Sequence, residues 1–204
     1  MRYLITQTLL GSYQYLFSVD PEYFEGALAD FEATLRRERR EPTEAMLNGI
    51  NFENLVYAKA NGISCEPHNK WQEGINLVAS VIKGAQIQVK AKRELTVNCT
   101  DFLLYGILDG LKAGVIYDVK FLNKGIGGAE LAGKYLNSPQ HPAYFALIPE
   151  ANVFQYLVSD GKDIYIETYL REQTESIEKH IQEFMQGIEA MGLLDVYKAH
   201  WQAK

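Results

Sequence analysis

The chain has 204 residues, 47% apolar and 23% charged, ordinary proportions for a globular protein and enough chain for one domain with a sizeable core. Its net charge of −6 speaks against a sequence-independent nucleic-acid coat, which is normally basic, but not against a site that brings acidic residues of its own. No apolar run reaches the roughly 20 residues a membrane span needs, so no membrane partner is expected.

The N-terminal stretch MRYLITQTLLGSYQYLF is interrupted by Gln7, Gln14 and several tyrosines and carries no small-residue cleavage signal, so it reads as the start of the fold. Pro21 to Arg40 places Tyr23, Phe24, Leu28, Phe31 and Leu35 at helical spacing, with arginines at the C-terminal end. A second helix runs from about Thr43 to Ala60, where Asn61-Gly62 stops it, and a third from Pro67 to about Ile82, closed by Gly84. The period then changes. Ala85 to Val97 alternates as a strand with one wet face, and Leu103 to Asn123 reads as two apolar strands joined by a tight turn. A glycine-rich turn over Gly125–Gly128 leads to helical segments at Ala129–Leu136 and Pro139–Leu147. Val153–Ser159 and Ile164–Leu170 form a hairpin about Asp160-Gly161, and Thr174 to about Gly192 is an amphipathic helix striped by Ile177, Ile181, Phe184, Met185 and Ile188. The whole is one α/β or α+β layered domain over 1–204, with helices in 21–82, a sheet in 85–170 and a C-terminal helix in 174–200.

Chemistry concentrates in the strand pair. Asp109 lies in an apolar run, while Asp118 and Lys120 are two apart on the next, so both project from one face and Val119 from the other. Folding back brings two carboxylates and one ammonium to a half-buried sheet surface. Such charges are costly unless paired, and a divalent metal is the usual solution. Upstream, Glu53 shares its helix face with Met46, Gly49, Ile50, Val56 and Tyr57, where a charge requires a partner. A metal shared with the aspartates would supply one; a buried salt bridge to arginine is the alternative.

Other features carry less. Arg36, Arg37, Arg39 and Arg40, and Lys90, Lys92 and Arg93, are basic clusters that read either as phosphate contacts or as solvated surface. Cys65 and Cys99, far apart, suggest free thiols in a reducing cytoplasm, and two thiols cannot ligate an iron–sulfur cluster. His68, His141, His180 and His200 lack ligand spacing, and His141 is expected at the surface. The Gly125-x-Gly127-Gly128 loop lacks the Walker ending. Tyr3, Tyr13, Tyr15 and Tyr23 are placed to stack on single-stranded bases, although most tyrosines serve packing.

In order, Gly49, Phe52 and Glu53 (G-x-x-F-E), Gly106 and Asp109 (G-x-x-D-G), Tyr117, Asp118 and Lys120 (Y-D-V-K), and Gln140 with Tyr144 (Q-x-x-x-Y) resemble the PD-(D/E)XK nuclease superfamily, nearest its RecB-like and phage lambda-type exonuclease branches. The likeness spans about Gly49 to Tyr144. Two departures are plain: the four-cysteine cluster of many RecB-like relatives is absent, and Phe121, Leu122 and Asn123 replace a Thr/Ser-rich continuation. The resemblance implies a restriction-endonuclease-like core, a mixed sheet of about five strands flanked by helices. It implies that Glu53, Asp109 and Asp118 hold Mg²⁺ or Mn²⁺ with the Val119 carbonyl, that Lys120 serves the attacking water or the transition state, and that Gln140 and Tyr144 touch the substrate. It further implies a cytoplasmic, bacterial or phage-encoded DNA exonuclease acting on linear duplex or single strands, working as a homo-oligomer or with a single-strand-annealing partner. A structure-selective endonuclease or junction resolvase, and a non-catalytic member that binds nucleic acid or protein, are the alternatives.

Overall fold

The computed structural model describes residues 1–63, 70–126 and 131–203. The chain runs β1 (Arg2–Thr6), α1 (Gln7–Tyr15), α2 (Phe24–Leu35), α3 (Glu44–Ala60), α4 (Gln72–Ile82), β2 (Gln86–Val97), β3 (Thr100–Lys112), β4 (Val115–Phe121), α5 (Gln140–Leu147), β5 (Val153–Ser159), β6 (Ile164–Leu170), α6 (Ile177–Ala190) and α7 (Leu194–His200).

Local chemistry sets many of these bounds. The Thr6 and Thr43 hydroxyls cap α1 and α3 by accepting from the Leu9 and Met46 amides, each at 3.2 Å. Gly62 and Gly84, at φ +74° and +78°, follow the ends of α3 and α4 in the left-handed conformation that stops a helix. The β3–β4 turn places Ala113 and Gly114 at φ +50° and +78°, a two-residue geometry that matches strand twist. In the β5–β6 turn the Asp160 carboxylate accepts from the Lys162 and Asp163 amides, both at 2.9 Å.

Six strands form one mixed sheet, ordered β1-β3-β4-β5-β6, with β2 also paired to β3. β2 runs antiparallel along one edge of β3, from Gln86 opposite Leu111 to Val97 opposite Thr100. The other edge is divided. Parallel β1 takes Asp101 to Tyr105, and antiparallel β4 takes only Gly110 to Lys112. β4 then leaves β3 and continues parallel to β5 from Val115–Val153 to Phe121–Ser159. The sheet therefore forks at residues 106–109 of β3, and polar groups on the two arms of the fork must find other partners.

Two apolar cores cover the faces. α3 and α4 bring Phe52, Val56, Ile75, Val78 and Ile82 against Tyr117, Val119 and Leu157. The other helices pack Leu9, Phe31, Phe145, Phe184 and Tyr197 against Ile5, Leu104, Ile116 and Phe154. Period 2 along β4 sends Val119 into the first core and leaves Asp118 on the face of Ile116 and α5. Among the described residues no helix is long and apolar enough to cross a membrane.

Several expectations are corrected. The sheet has a strand, β1, that the sequence reading missed, because its five residues pass into α1 at Thr6 with no turn between them. The first long helix starts after a 3₁₀ turn at Pro21–Tyr23 and ends at Leu35, with Arg37 left-handed at φ +58°, so Arg36–Arg40 lie beyond it. Residues 131–136 make successive turns around Gly133 (φ +75°) instead of a helix. The C-terminal segment is two helices, broken where Gly192 takes φ +71°. The expected helix start at Pro67, together with Cys65, His68, Gly127, Gly128 and Ala129, lies outside the described residues.

Candidate active site

Asp118 is 2% exposed, a position where a bare carboxylate is strongly disfavoured. Its Oδ1 accepts a hydrogen bond from the Gln140 amide at the start of α5. Its Oδ2 lies 2.7 Å from the Lys120 ammonium. Burial raises the Asp118 carboxyl above its ordinary value against the Lys120 charge and the Lys120 and Gln140 hydrogen bonds, which lower it. For Lys120, burial pulls the other way but loses. The charge and hydrogen bond of Asp118, then the charge of Asp109, hold the ammonium above its ordinary range, so it is a cation at neutral pH.

Asp109 faces Asp118 across the fork. Its Oδ2 accepts from the Val119 amide at 2.8 Å, replacing the ladder bond that β3 no longer makes there. Its Oδ1 accepts from the Gln88 side chain on β2 at 3.3 Å. Burial and then the Asp118 charge push its carboxyl up to about 8, opposed by the Val119 hydrogen bond. Because a strand residue's N–H and C=O point to the same edge, the Val119 carbonyl also faces the fork.

Glu53 reaches the group from α3. Burial raises its carboxyl, with the Lys120 charge lowering it and the Asp118 charge raising it. One turn on, Tyr57 buries its hydroxyl beside Asp109, and burial, then the charges of Asp109 and Glu53 and the Asp109 hydrogen bond, push that phenol far above its ordinary range. Gln88 and Tyr57 are the contributors that sequence reasoning missed. Gln88 was legible only as one polar residue of an alternating strand, and Tyr57 only as an aromatic on the Glu53 face.

Gln140 and Tyr144 pack beside the group. They are 6% and 3% exposed, and both point inward. The Tyr144 hydroxyl donates to the Ile107 carbonyl at 2.8 Å, filling the unpaired edge of β3 at the fork. The ring fits there because Gly106 has no side chain: a Cβ at that position would lie 2.8 Å from Tyr144 Cε1 and 2.8 Å from Leu147 Cδ1. In these positions the pair braces Asp118 and β3. Gly49, by contrast, has nothing within 4 Å that a Cβ would meet.

The remaining candidates are placed as follows. His141 is 3% exposed, not at the surface; its ring stacks on Tyr169 at 4.2 Å, and burial lowers it to about 4, so it stays neutral near pH 7. Tyr13 packs among Phe17, Phe31 and Phe184, and Tyr3 against Tyr197, leaving Tyr15 and Tyr23 exposed. Arg36 pairs with Glu32, Arg40 with Asp30, and Arg37 lies over Trp201. Arg93 donates to the Ala146 carbonyl, whereas Lys90 and Lys92 are exposed on β2.

Among the described residues no three acidic, histidine or cysteine side chains converge into a ready-made metal cage. The donors nonetheless suit a hard divalent cation. Glu53, Asp109 and Asp118 all lie within electrostatic reach of one another and of the single Lys120, an excess of two negative charges when all are ionised. Asp118 Oδ2 is buried and incompletely partnered, and the donors are oxygens.

No protein-family model and no curated protein matches the chain. Solved structures do. The crystal structure of SSO0001 superposes with a TM-score of 0.53 at 14% identity, over 93% of this chain and 77% of that one. LHK-Exo in complex with dAMP superposes with a TM-score of 0.45 at 14% identity, over 96% and 92%. Likeness at such identity concerns the fold. The architecture is a mixed α/β fold, a central mixed sheet flanked by helices.

Proposed function

We propose that this chain is a Mg²⁺- or Mn²⁺-dependent DNA nuclease, an exonuclease of phage or recombination type, with Glu53, Asp109, Asp118 and Lys120 as its catalytic group. The observation that carries the reading is the forked sheet, which gathers a buried and a half-buried aspartate and one lysine with a glutamate from α3 at a place where the ladder is open.

Asp109, Asp118 and Glu53 would hold the cation, together with the Val119 carbonyl. A bound divalent cation supplies Lewis acidity toward a phosphodiester and lowers the pKa of a water. The chain's own residues do the rest. The Val119 amide and the Gln88 side chain fix the Asp109 carboxylate, and Gln140 fixes Asp118. Lys120, protonated and one-third exposed, is the group of this set that reaches solvent as a cation. It would balance charge on a phosphate and is held in its protonated form by the same aspartates. Lys90 and Lys92 on β2 would add phosphate contacts on an otherwise acidic chain.

The proposal extends to a cytoplasmic bacterial or phage setting, to a homo-oligomer, and to a single-strand-annealing partner. The test is incubation with end-labelled linear, closed circular and branched DNA, with Mg²⁺, Mn²⁺ or EDTA, beside Asp118→Ala. Loss of linear DNA with circles spared supports the exonuclease. Cutting of circles or junctions assigns an endonuclease or resolvase instead. No metal-dependent cleavage, and no difference from Asp118→Ala, rejects the enzymatic reading in favour of a binding protein.

A further inference from the structure

Gln88 lies in the middle of β2 at φ +56°. Left-handed backbone is unusual for a residue with a Cβ. Every other described non-glycine residue with positive φ has a local reason for it. Asn98 and Cys99 make the β2–β3 turn, Ala113 makes the β3–β4 turn, and Arg37 follows the end of α2. Gln88 alone among them is inside a strand. The pairs on either side, Ile87 with Gly110 and Val89 with Leu108, keep one register, so no residue is inserted as in an ordinary bulge. The only pair missing from that register is Gln88 with Asp109.

Strain of this kind persists when surrounding structure holds it in place, and it clusters at functional sites. Here it stands directly across from a carboxylate of the proposed catalytic group and contacts it, Nε2 to Oδ1 at 3.3 Å. The other oxygen, Oδ2, takes the Val119 amide from the opposite side at 2.8 Å. Asp109 is thus gripped on both oxygens, by β2 on one flank and β4 on the other. With the Tyr57 hydroxyl bonded to the same carboxylate from α3, these donors leave its remaining lone pairs aimed in fixed directions too.

We propose that Gln88 is a positioning residue, whose strained backbone delivers its amide to Asp109 and so aims that carboxylate at a divalent cation. The inference rests on the metal-dependent reading above. Partners that orient a ligand in this way change metal affinity by about 10- to 100-fold.

Gln88→Gly and Gln88→Asn separate this role from a purely structural one. Both residue types accept left-handed backbone, so the kink and the strand pairing stay. Glycine removes the amide, and asparagine shortens its reach by one methylene. The primary readout is Mn²⁺ affinity by titration calorimetry without DNA; the others are the Mg²⁺ concentration for half-maximal cleavage and melting in EDTA. Both variants should bind Mn²⁺ about tenfold more weakly or worse and need correspondingly more Mg²⁺. The glycine variant should melt no lower than wild type, since strain is relieved. Wild-type Mn²⁺ affinity in both variants overturns the inference and assigns the kink to the bend of the sheet alone. Failure of the underlying reading looks different: the unaltered protein would then bind no Mn²⁺ and cleave no DNA, and both proposals fall. Asp109→Ala, run beside them, should lose Mn²⁺ binding outright.

Discussion

Replacing Gly106 by alanine tests how the fork is filled. The added Cβ would sit 2.8 Å from both Leu147 Cδ1 and Tyr144 Cε1, and 3.4 Å from Tyr144 Cδ1. The leucine methyl can swing away. The tyrosine ring cannot do so without cost, because it is 3% exposed and its hydroxyl is tied to the Ile107 carbonyl. Forcing an extra methyl into a filled core costs about 1–3 kcal/mol. Loss of the hydrogen bond adds about 1 kcal/mol. At roughly 2–4 °C per kcal/mol for a domain of this size, Gly106→Ala should lower the melting temperature by about 5–15 °C in EDTA. The control is Gly110→Ala, four residues along the same strand, where the nearest atom to a new Cβ is Tyr117 Cβ at 3.4 Å. That change should stay within about 1 kcal/mol of wild type, because ordinary contact is offset by lower entropy of the unfolded chain. Calorimetry or far-ultraviolet circular dichroism reads both. Cleavage should fall with Gly106→Ala as well, since displacing α5 draws Gln140 away from Asp118. If Gly106→Ala melts within about 2 °C of Gly110→Ala, close approach of α5 is not what holds the fork.

Other outcomes follow from the same site. The Asp109 carboxyl is raised in the folded chain, so its contribution to stability is full below the unfolded value near 4 and is lost as pH rises through about 8. Metal-free protein should therefore be more stable at pH 5–6 than at pH 8–9, and denaturant titrations of Asp109→Asn should show a flatter profile. Gln140→Leu keeps the volume of the side chain but leaves Asp118 Oδ1 without its donor; it should cost about 1.5–3 kcal/mol in EDTA, as read by urea unfolding. Lys120→Met leaves Asp118 without its counter-ion and should destabilise the metal-free protein by about 1–3 kcal/mol, discounted for the one-third exposure of the lysine, while Mn²⁺ binding survives and cleavage is lost. Mn²⁺ at about 100 times its dissociation constant should stabilise the unaltered protein by about 2.7 kcal/mol, and Asp118→Ala should show no such rise in melting temperature.

Much of the architecture was legible because its cause is local. Alternation in β2, the apolar runs of β3 and β4, the Asp160-Gly161 turn, and the stripe of Ile177, Ile181, Phe184 and Ile188 are patterns that a strand, turn or helix imposes on its own residues. β1 was not legible, because a five-residue strand held by parallel pairing to β3 is specified by its distant partner. The turns over 131–136 were misread because Gly133 interrupts an otherwise helix-favouring composition. His141 was misplaced because burial of a neutral ring between Tyr169 and Tyr156 depends on what the sheet face offers, not on neighbours in sequence.

The site divides in the same way. The sequence by itself determined that Asp118 and Lys120 share a face and that Asp109 lies across a two-residue turn from them, since strand period and turn length settle both. It also determined that Glu53 interrupts an apolar helix stripe. Only the tertiary structure decided that β3 exchanges β1 for β4 part-way along, opening the gap into which Asp109, the Val119 amide and the Tyr144 hydroxyl fall. It likewise decided that the carboxylates outweigh burial at Lys120, that Gln140 and Tyr144 turn inward, and that a strained Gln88 meets Asp109. The reason is physical: period and turn chemistry act between near neighbours, whereas burial, charge coupling and an interrupted ladder arise only when segments far apart in the chain share one space.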